Sequence, residues 1–425
     1  MRSPVEVVAP ARLGTPFRWL LGATWVSNVG DGFAIAAGPL LVASQTHDPF
    51  LVALAALAQW LPPFVFGLWA GVLSDRMDRK TLIVTVDLLR AAVVLVIVGS
   101  ILTDSVSIAV VLVALFLLGT AEVFVDNTSG TLLPMIVRRD DLAIANSRLQ
   151  VGFIAINQMI APPIGAALFA AGMAVPFIGQ AVVILVSVML VMRIALPPHG
   201  RETEEHPPVW HDVVEGVRWV LHHAAVRTLV LTIFIFNITF GAAWSVLVLY
   251  ATVRLGMGAV GFGLLTTCGA AGGLTAILAY GWITARVSLG NLMRIGLVIE
   301  TLTHLALALT TVPWVAMVIF FIFGAHAFVW GTTSITVRQR AVPTRLQGRV
   351  GSVNLIGVYG GLVIGAGIGG LLARQWGVTA PFWFAFVGSA VFVVLIWNQL
   401  KYVAHADEAP FVDDERPVVP TPPTG

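Results

Sequence analysis

A small set of ionisable side chains stands inside long apolar runs: Asp31, Asp87 with Arg90, Glu122 with Asp126, Glu300 with His304, and His326. Such groups are costly within a bilayer, and those found there face a partner, a cavity or a proton path. Asp31 sits in Ser-Asn-Val-Gly-Asp-Gly-Phe-Ala. A carboxylate in an apolar interior holds a proton more readily than one in water, so Asp31 is a candidate proton carrier. The alternative is a fixed hydrogen bond to Asn28, one helical turn away. Arg90 follows Asp87 by one turn, and Glu122 and Asp126 share a helix face. An Arg90–Glu122 ion pair would neutralise two buried charges; equally, Glu122 could exchange protons while Arg90 tunes it. Asp126 is placed to hold Arg76 or Arg79. Glu300 and His304 lie four residues apart on one face, with His326 in the next apolar run. A Glu–His couple can pass a proton near neutral pH, and a buried histidine can also be a hydrogen-bonded strut.

The elements that must position these residues are membrane helices. Of the 425 residues, 58% are hydrophobic and only 11% charged, against about a quarter charged in soluble domains. A bilayer core of ~30 Å takes about 20 helical residues. By that measure twelve spans are predicted, at 18–43, 51–73, 81–102, 107–127, 147–171 and 174–195, then 228–252, 259–284, 290–310, 313–335, 348–373 and 377–400. The chain thus divides into a six-helix half (1–195), a polar central loop (196–227), a second six-helix half (228–400) and a tail rich in Pro and acidic residues (401–425), read as disordered. The central loop ends in an amphipathic segment with Val213, Val217, Val220 and Leu221 at helical spacing, read as a surface helix. The first apolar run is too long for a signal-peptide core and reads as a retained span.

Of the 24 Lys and Arg residues, only Arg254 and Arg374 fall on the outer side when the N-terminus is placed inside, and Arg90 lies within a span. The positive-inside rule then predicts both termini in the cytoplasm. The net charge of +2 is dispersed and suggests no nucleic-acid partner. The single cysteine, Cys268, excludes an intrachain disulfide. Neither lysine, Lys80 or Lys401, stands in a phosphate-binding loop. No metal-ligand spacing, nucleophile elbow or cofactor fingerprint is visible. The expectation is therefore no enzyme, no cofactor and no resident metal.

Residues 71–80 read Gly-Val-Leu-Ser-Asp-Arg-Met-Asp-Arg-Lys, a charged island between spans 2 and 3. The pattern resembles the signature loop of major facilitator superfamily transporters. The resemblance implies twelve helices in two halves and alternating access, with Gly71, Asp75, Arg76, Arg79 and Lys80 as a conformational latch. Asp78 replaces the family's usual glycine. A partial copy without the aspartate recurs at Gly281 and Arg286. Pro163-Ile164-Gly165 in span 5 matches Gly367-Ile368-Gly369 in span 11, so the halves repeat. Ala-Pro-Pro-Ile-Gly (161–165) resembles a degenerate form of the span 5 motif of drug exporters, and its prolines predict a kink. Gly357, Gly361, Gly365 and Gly369 form a ridge in span 11, suited to sliding or to tight helix packing. Trp25, Phe33, Trp60, Trp69, Phe240, Trp244, Phe328 and Trp330 are candidates to line a cavity or to anchor at the lipid interface.

Residues 132–147 and Gly30-Asp31 are similar to the branch holding macrolide-type drug exporters and the enterobactin exporter. That resemblance implies a monomeric inner-membrane exporter of small lipophilic compounds, driven by protons at Asp31 or Glu122, with the lipid bilayer as its other partner. An importer of a small metabolite is the rival within transport, and a membrane sensor or enzyme the rival outside it.

Overall fold

The computed structural model describes residues 10–195 and 209–400, and of residues 71–76 and 209 the backbone only. The predicted tail, the acidic part of the central loop and the first nine residues lie outside that range. The described residues form helices: α1 (Gly14–Gln45), α2 (Pro49–Arg76), α3 (Arg79–Leu102), α4 (Ile108–Ile136), α5 (142–171), α6 (Val175–Met192), α7 (Ala224–Trp244), α8 (Ala259–Thr284), α9 (Leu289–Leu309), α10 (Pro313–Ala341), α11 (Gln347–Trp376) and α12 (Ala380–Ile396). Eleven are long and apolar enough to cross a membrane. The twelfth has 17 residues, about 26 Å at 1.5 Å per residue, at the short end for a span. A linker helix, Val209–His222, precedes α7.

Local chemistry sets several helix starts. Asp78 accepts a hydrogen bond from Thr81 N at 2.8 Å and caps α3. Ser107 and Ser288 cap α4 and α9 in the same way. Aspartate and serine serve here because a side-chain oxygen satisfies an otherwise orphaned N–H. Pro176, Pro313 and Pro381 occupy first turns, where no N–H is needed. The expected irregularity of span 5 is a π-helical stretch, Phe153–Ile160, just ahead of Pro162 and Pro163. These prolines cannot donate to the carbonyls of Gln158 and Met159 four residues back, and the wider turn accommodates the mismatch.

The packing repeats. In the first half α1 lies on α5 and α6, α2 on α4, and α3 on α4 and α6; in the second, α7 lies on α11 and α12, α8 on α10, and α9 on α10 and α12. Each pairing recurs six helices later. Between the halves α2 meets α11 and α5 meets α8, a pair of contacts related by the same shift. The matched glycines each admit a facing backbone: a Cβ at Gly165 would stand 2.7 Å from Phe33 Cα of α1, and one at Gly369 would stand 2.7 Å from Ala242 Cα of α7 and nearer still to Ala242 O.

The apolar cores reveal how the halves meet. On the side away from the N-terminus one cluster draws on both halves, including Leu41, Val52 and Ile97 with Val248, Tyr250 and Phe382. On the opposite side the cores are separate, one around Phe17, Ile83 and Leu132 and another around Val226, Met293 and Val350. There Trp69, Leu278 and Trp282 are exposed. Among the described residues the molecule is thus sealed on one face and parted on the face where α1 begins.

The glycine ridge of α11 resolves as a tight seam. Gly361, Gly365 and Gly369 press on the backbone of α7, within the same half. The glycines that meet the other half are Gly360, beside Phe64, and Gly370, where a Cβ would stand 3.1 Å from Phe50 Cα.

Candidate functional site

The charged residues of the first half converge. Small residues flank Asp31 and press α1 onto its neighbours: a Cβ at Gly30 would stand 2.6 Å from Val183, and one at Gly32 would stand 2.7 Å from Asn157 O. The carboxylate between them is left facing α3. There Arg90 pairs with Asp31 through Nη2 and with Asp87 through Nη1 at 3.0 Å. Ser27 donates to the other Asp31 oxygen at 3.2 Å. Arg90 and Asp87 are almost wholly buried, and the Asp31 side chain is 11% exposed. The structure therefore corrects two sequence expectations. Asp31 is held by Arg90 and Ser27, while Asn28 Nδ2 has no partner. Arg90 makes its ion pairs with aspartates, and Glu122 lies beyond contact, within its electrostatic field.

Glu122 is half-buried and Asp126 exposed. Both carboxylates lie within the electrostatic reach of Asp31 and Arg90. Tyr359 of α11, in the opposite half, feels both Glu122 and Asp126. Sequence reading missed Tyr359, although an isolated tyrosine beside Gly360-Gly361 was a visible signal. Four carboxylates thus share one guanidinium in the middle of an apolar protein. Such an excess of like charge is expensive unless protons or a cation relieve it.

The second half carries a different cluster. His326 Nε2 lies 3.4 Å from Glu300 Oε2, joining α10 to α9. The expected Glu300–His304 couple is not formed. His304 is wholly buried, both of its ring nitrogens lack hydrogen-bond partners, and it stands edge-on to Trp244. Trp244 in turn stacks on Phe240 and packs against Phe320 and Phe323. A one-turn helical spacing put His304 near Glu300 but could not say that α10 would supply the closer partner. Gly296 makes that approach possible, since a Cβ there would stand 3.0 Å from His326 Nδ1 and 2.6 Å from Trp330.

Of the latch residues, Arg79 donates to Thr131 Oγ1 at 3.0 Å and approaches Met135 Sδ at 3.3 Å, tying the loop to α4. Lys80 donates to the carbonyls of Met192 and Ile194 at 2.6 and 2.9 Å. Those carbonyls end α6, where a cation is favourable. The side chains of Gly71, Asp75 and Arg76 fall outside the described residues. Asp78, the departure from the usual glycine, is explained by its cap on α3.

Among the described residues two polar contacts cross between the halves. Thr267 of α8 donates to Met159 O of α5 at 3.0 Å, a carbonyl that Pro163 leaves without its usual donor; Gly263 O, on the same helix as Thr267, lies equally near. Arg374 stands 3.5 Å from Asp48, both at the surface.

Two six-helix bundles sealed at one face and parted at the other around a charged interior make this a major facilitator superfamily transporter. Its fold matches the crystal structure of a bacterial homologue of the iron transporter ferroportin in an inward-facing state, with a TM-score of 0.71, over 89% of this chain and 98% of that one at 16% identity. The chain belongs to the transmembrane secretion effector family of that superfamily, whose model matches residues 6–420. It is similar to the multidrug efflux pump Tap of Mycolicibacterium fortuitum, 27% identical over 86% of this chain and 91% of the relative. It is also similar to the enterobactin exporter EntS of Citrobacter koseri, 25% identical over 84% of this chain and 86% of the relative. The protein is a membrane transporter of the efflux branch and not an enzyme.

Proposed function

We propose that this transporter exports small lipophilic compounds, of drug or siderophore type, in exchange for protons. The observation that supports it best is the crowding of Asp31, Asp87, Glu122 and Asp126 around Arg90. Arg90 sets one positive charge against the two aspartates it touches. Among the described residues Glu122 and Asp126 make no ion pair, and we take them as the groups that trade a proton for cargo.

In the proposed cycle, the parted face opens to the cytoplasm, where both termini lie, in the plasma (inner) membrane. Cargo enters there as Glu122 or Asp126 gives up a proton to the cytoplasm. The halves, residues 1–195 and 228–400, then rock so that the seam of α2–α11 and α5–α8 opens outward. Cargo leaves to the outside, a proton from outside rebinds the carboxylate or Asp31, and the neutralised interior favours return. Asp75, Arg76 and Arg79 latch the loop side in the outward-facing state. One chain suffices for this cycle.

Proteoliposomes loaded with a pH-sensitive dye test the reading. Addition of a transported lipophilic compound should move protons against cargo in wild type, and Glu122→Gln should abolish the dependence on the pH gradient. Substrate flux indifferent to that gradient would remove antiport. Uptake running with the inward gradient of protons would make the protein an importer.

A further inference from the structure

The linker helix presents three distinct faces. At 100° per residue, Val213, Gly216 and Val220 fall together, and the structure buries them against the second half. Arg349, at the start of α11, clamps this face: Nε meets Asp212 Oδ1 at 2.8 Å and Nη1 meets Glu215 Oε2 at 2.6 Å. Gly216 lets the helices touch, since a Cβ there would stand 2.8 Å from the Arg349 carbonyl carbon and 3.1 Å from Val353. The trio His211, Asp212 and Glu215 is close enough to hold a cation, but Arg349 already occupies its carboxylates. His211, Arg218 and His222 make a second face, polar and exposed.

The third face is a narrow stripe that no described residue covers. Trp210, Val214, Val217 and Leu221 recur at four-, three- and four-residue steps and are 73%, 40%, 38% and 55% exposed. An amphipathic pattern read from sequence assigns all of the apolar residues to one surface. The structure separates them: Val213 and Val220 face protein, whereas Val217 and Leu221 join Trp210 and Val214.

We propose that this stripe lies in the inner surface of the lipid bilayer and anchors the second half to it. Continuity with the lipid-facing surface of α7 argues for lipid as the occupant. Only His223 separates the linker helix from α7. That span has 21 residues, about 31 Å, which matches the ~30 Å hydrocarbon core and sets Ala224 at its edge. The linker helix therefore ends at the depth where acyl chains meet headgroups. Arg218 is exposed beside the stripe, Arg227 of α7 reaches back to donate to Leu221 O at 2.9 Å, and a tryptophan at the other end suits an interfacial anchor.

Spin labels placed singly at 210, 214, 217 and 221, at 211, 218 and 222, and at 213, in a Cys268→Ser background within bilayers, test the three faces. Stripe positions should be more accessible to oxygen than to a water-soluble nickel chelate, the polar positions the reverse, and 213 shielded from both. Nickel accessibility along the stripe would overturn the proposal in favour of a water-exposed face. Shielding of the stripe from both reagents would overturn it in favour of a protein partner. Should the cysteine substitution unfold the protein, the native chain gives a second readout. Acyl-brominated lipids should quench wild type more than Trp210→Phe, and equal quenching of the two would refute the anchor.

Discussion

The two halves share one packing plan but bury opposite chemistry. In the first, α1, α3 and α4 gather four carboxylates around Arg90. In the second, α9 and α10 hold Glu300 against His326, with His304 among aromatic rings. The first cluster is ionic and opens into the parted interior; the second is compact and lies beneath the shared apolar seal. Repetition thus governs backbone contacts, where glycines set helix approach, and not the side chains that carry charge. One half gathers ionised groups and the other sets its titratable groups among aromatic rings.

The sharpest test of that contrast is Arg90→Met. It leaves Asp31 and Asp87 buried without their partner, a change expected to cost about 3–5 kcal/mol. His326→Met breaks a single longer contact and should cost about 1–3 kcal/mol. Thermal unfolding in one detergent compares them. Equal losses would mean that the second cluster is as ionic as the first.

The repeat itself makes the next prediction. Gly165→Ala and Gly369→Ala each force a methyl group onto the backbone of a facing helix, the second more tightly because Ala242 O lies closest of all. Both should destabilise by about 1–3 kcal/mol, Gly369→Ala by more. A larger loss at Gly165 would show that the matched motif in α5 and α11 marks sequence likeness without matched geometry.

These contrasts also mark how far sequence alone could reach. The apolar runs and their helical state were legible, because hydrophobic length acts locally along the chain. Pairing was not. Asp31 and Arg90 are 59 residues apart, and nothing in either run says that α1 will face α3 at that depth. The choices of Arg90 over Asn28 for Asp31, and of His326 over His304 for Glu300, are set by which helices pack and where glycines let them close. Asp78 was legible as a departure from a pattern, yet its purpose needed the Thr81 N–H beside it.

The seam between halves supplies a smaller effect. Thr267→Val removes the hydroxyl that joins α8 to Met159 O while keeping the side chain's shape. Loss of one such bond is worth about 0.5–1.5 kcal/mol. It should enrich the population open on the sealed face by several fold, as read from spin-label distances across the outer ends of α5 and α8. An unchanged distribution would mean that the hydroxyl already spends its proton on Gly263 O, leaving the apolar cluster to close that face alone.

The smallest expected effect lies where the halves start. No side chain caps the start of α1, where an Arg12–Asp141 ion pair at 3.5 Å instead ties the chain to the α4–α5 connection. α7 is capped by His223, whose Nδ1 accepts from Val226 N at 3.3 Å beneath the stacked ring of Trp219. Partial burial holds this imidazole below its usual range of proton affinity. Only the neutral ring can accept that hydrogen bond. Because the folded state disfavours the proton, the stabilisation is present above the unfolded histidine value of about 6.5 and is lost as pH falls from there through the lower folded value. Hydrogen exchange at the first turn of α7 should therefore quicken on acidification from neutral pH, while the first turn of α1 should not respond. His223→Asn keeps a cap without the titration and should flatten that pH dependence. If exchange at α7 in the variant still tracks pH as in wild type, the asymmetry between the two starts has another origin.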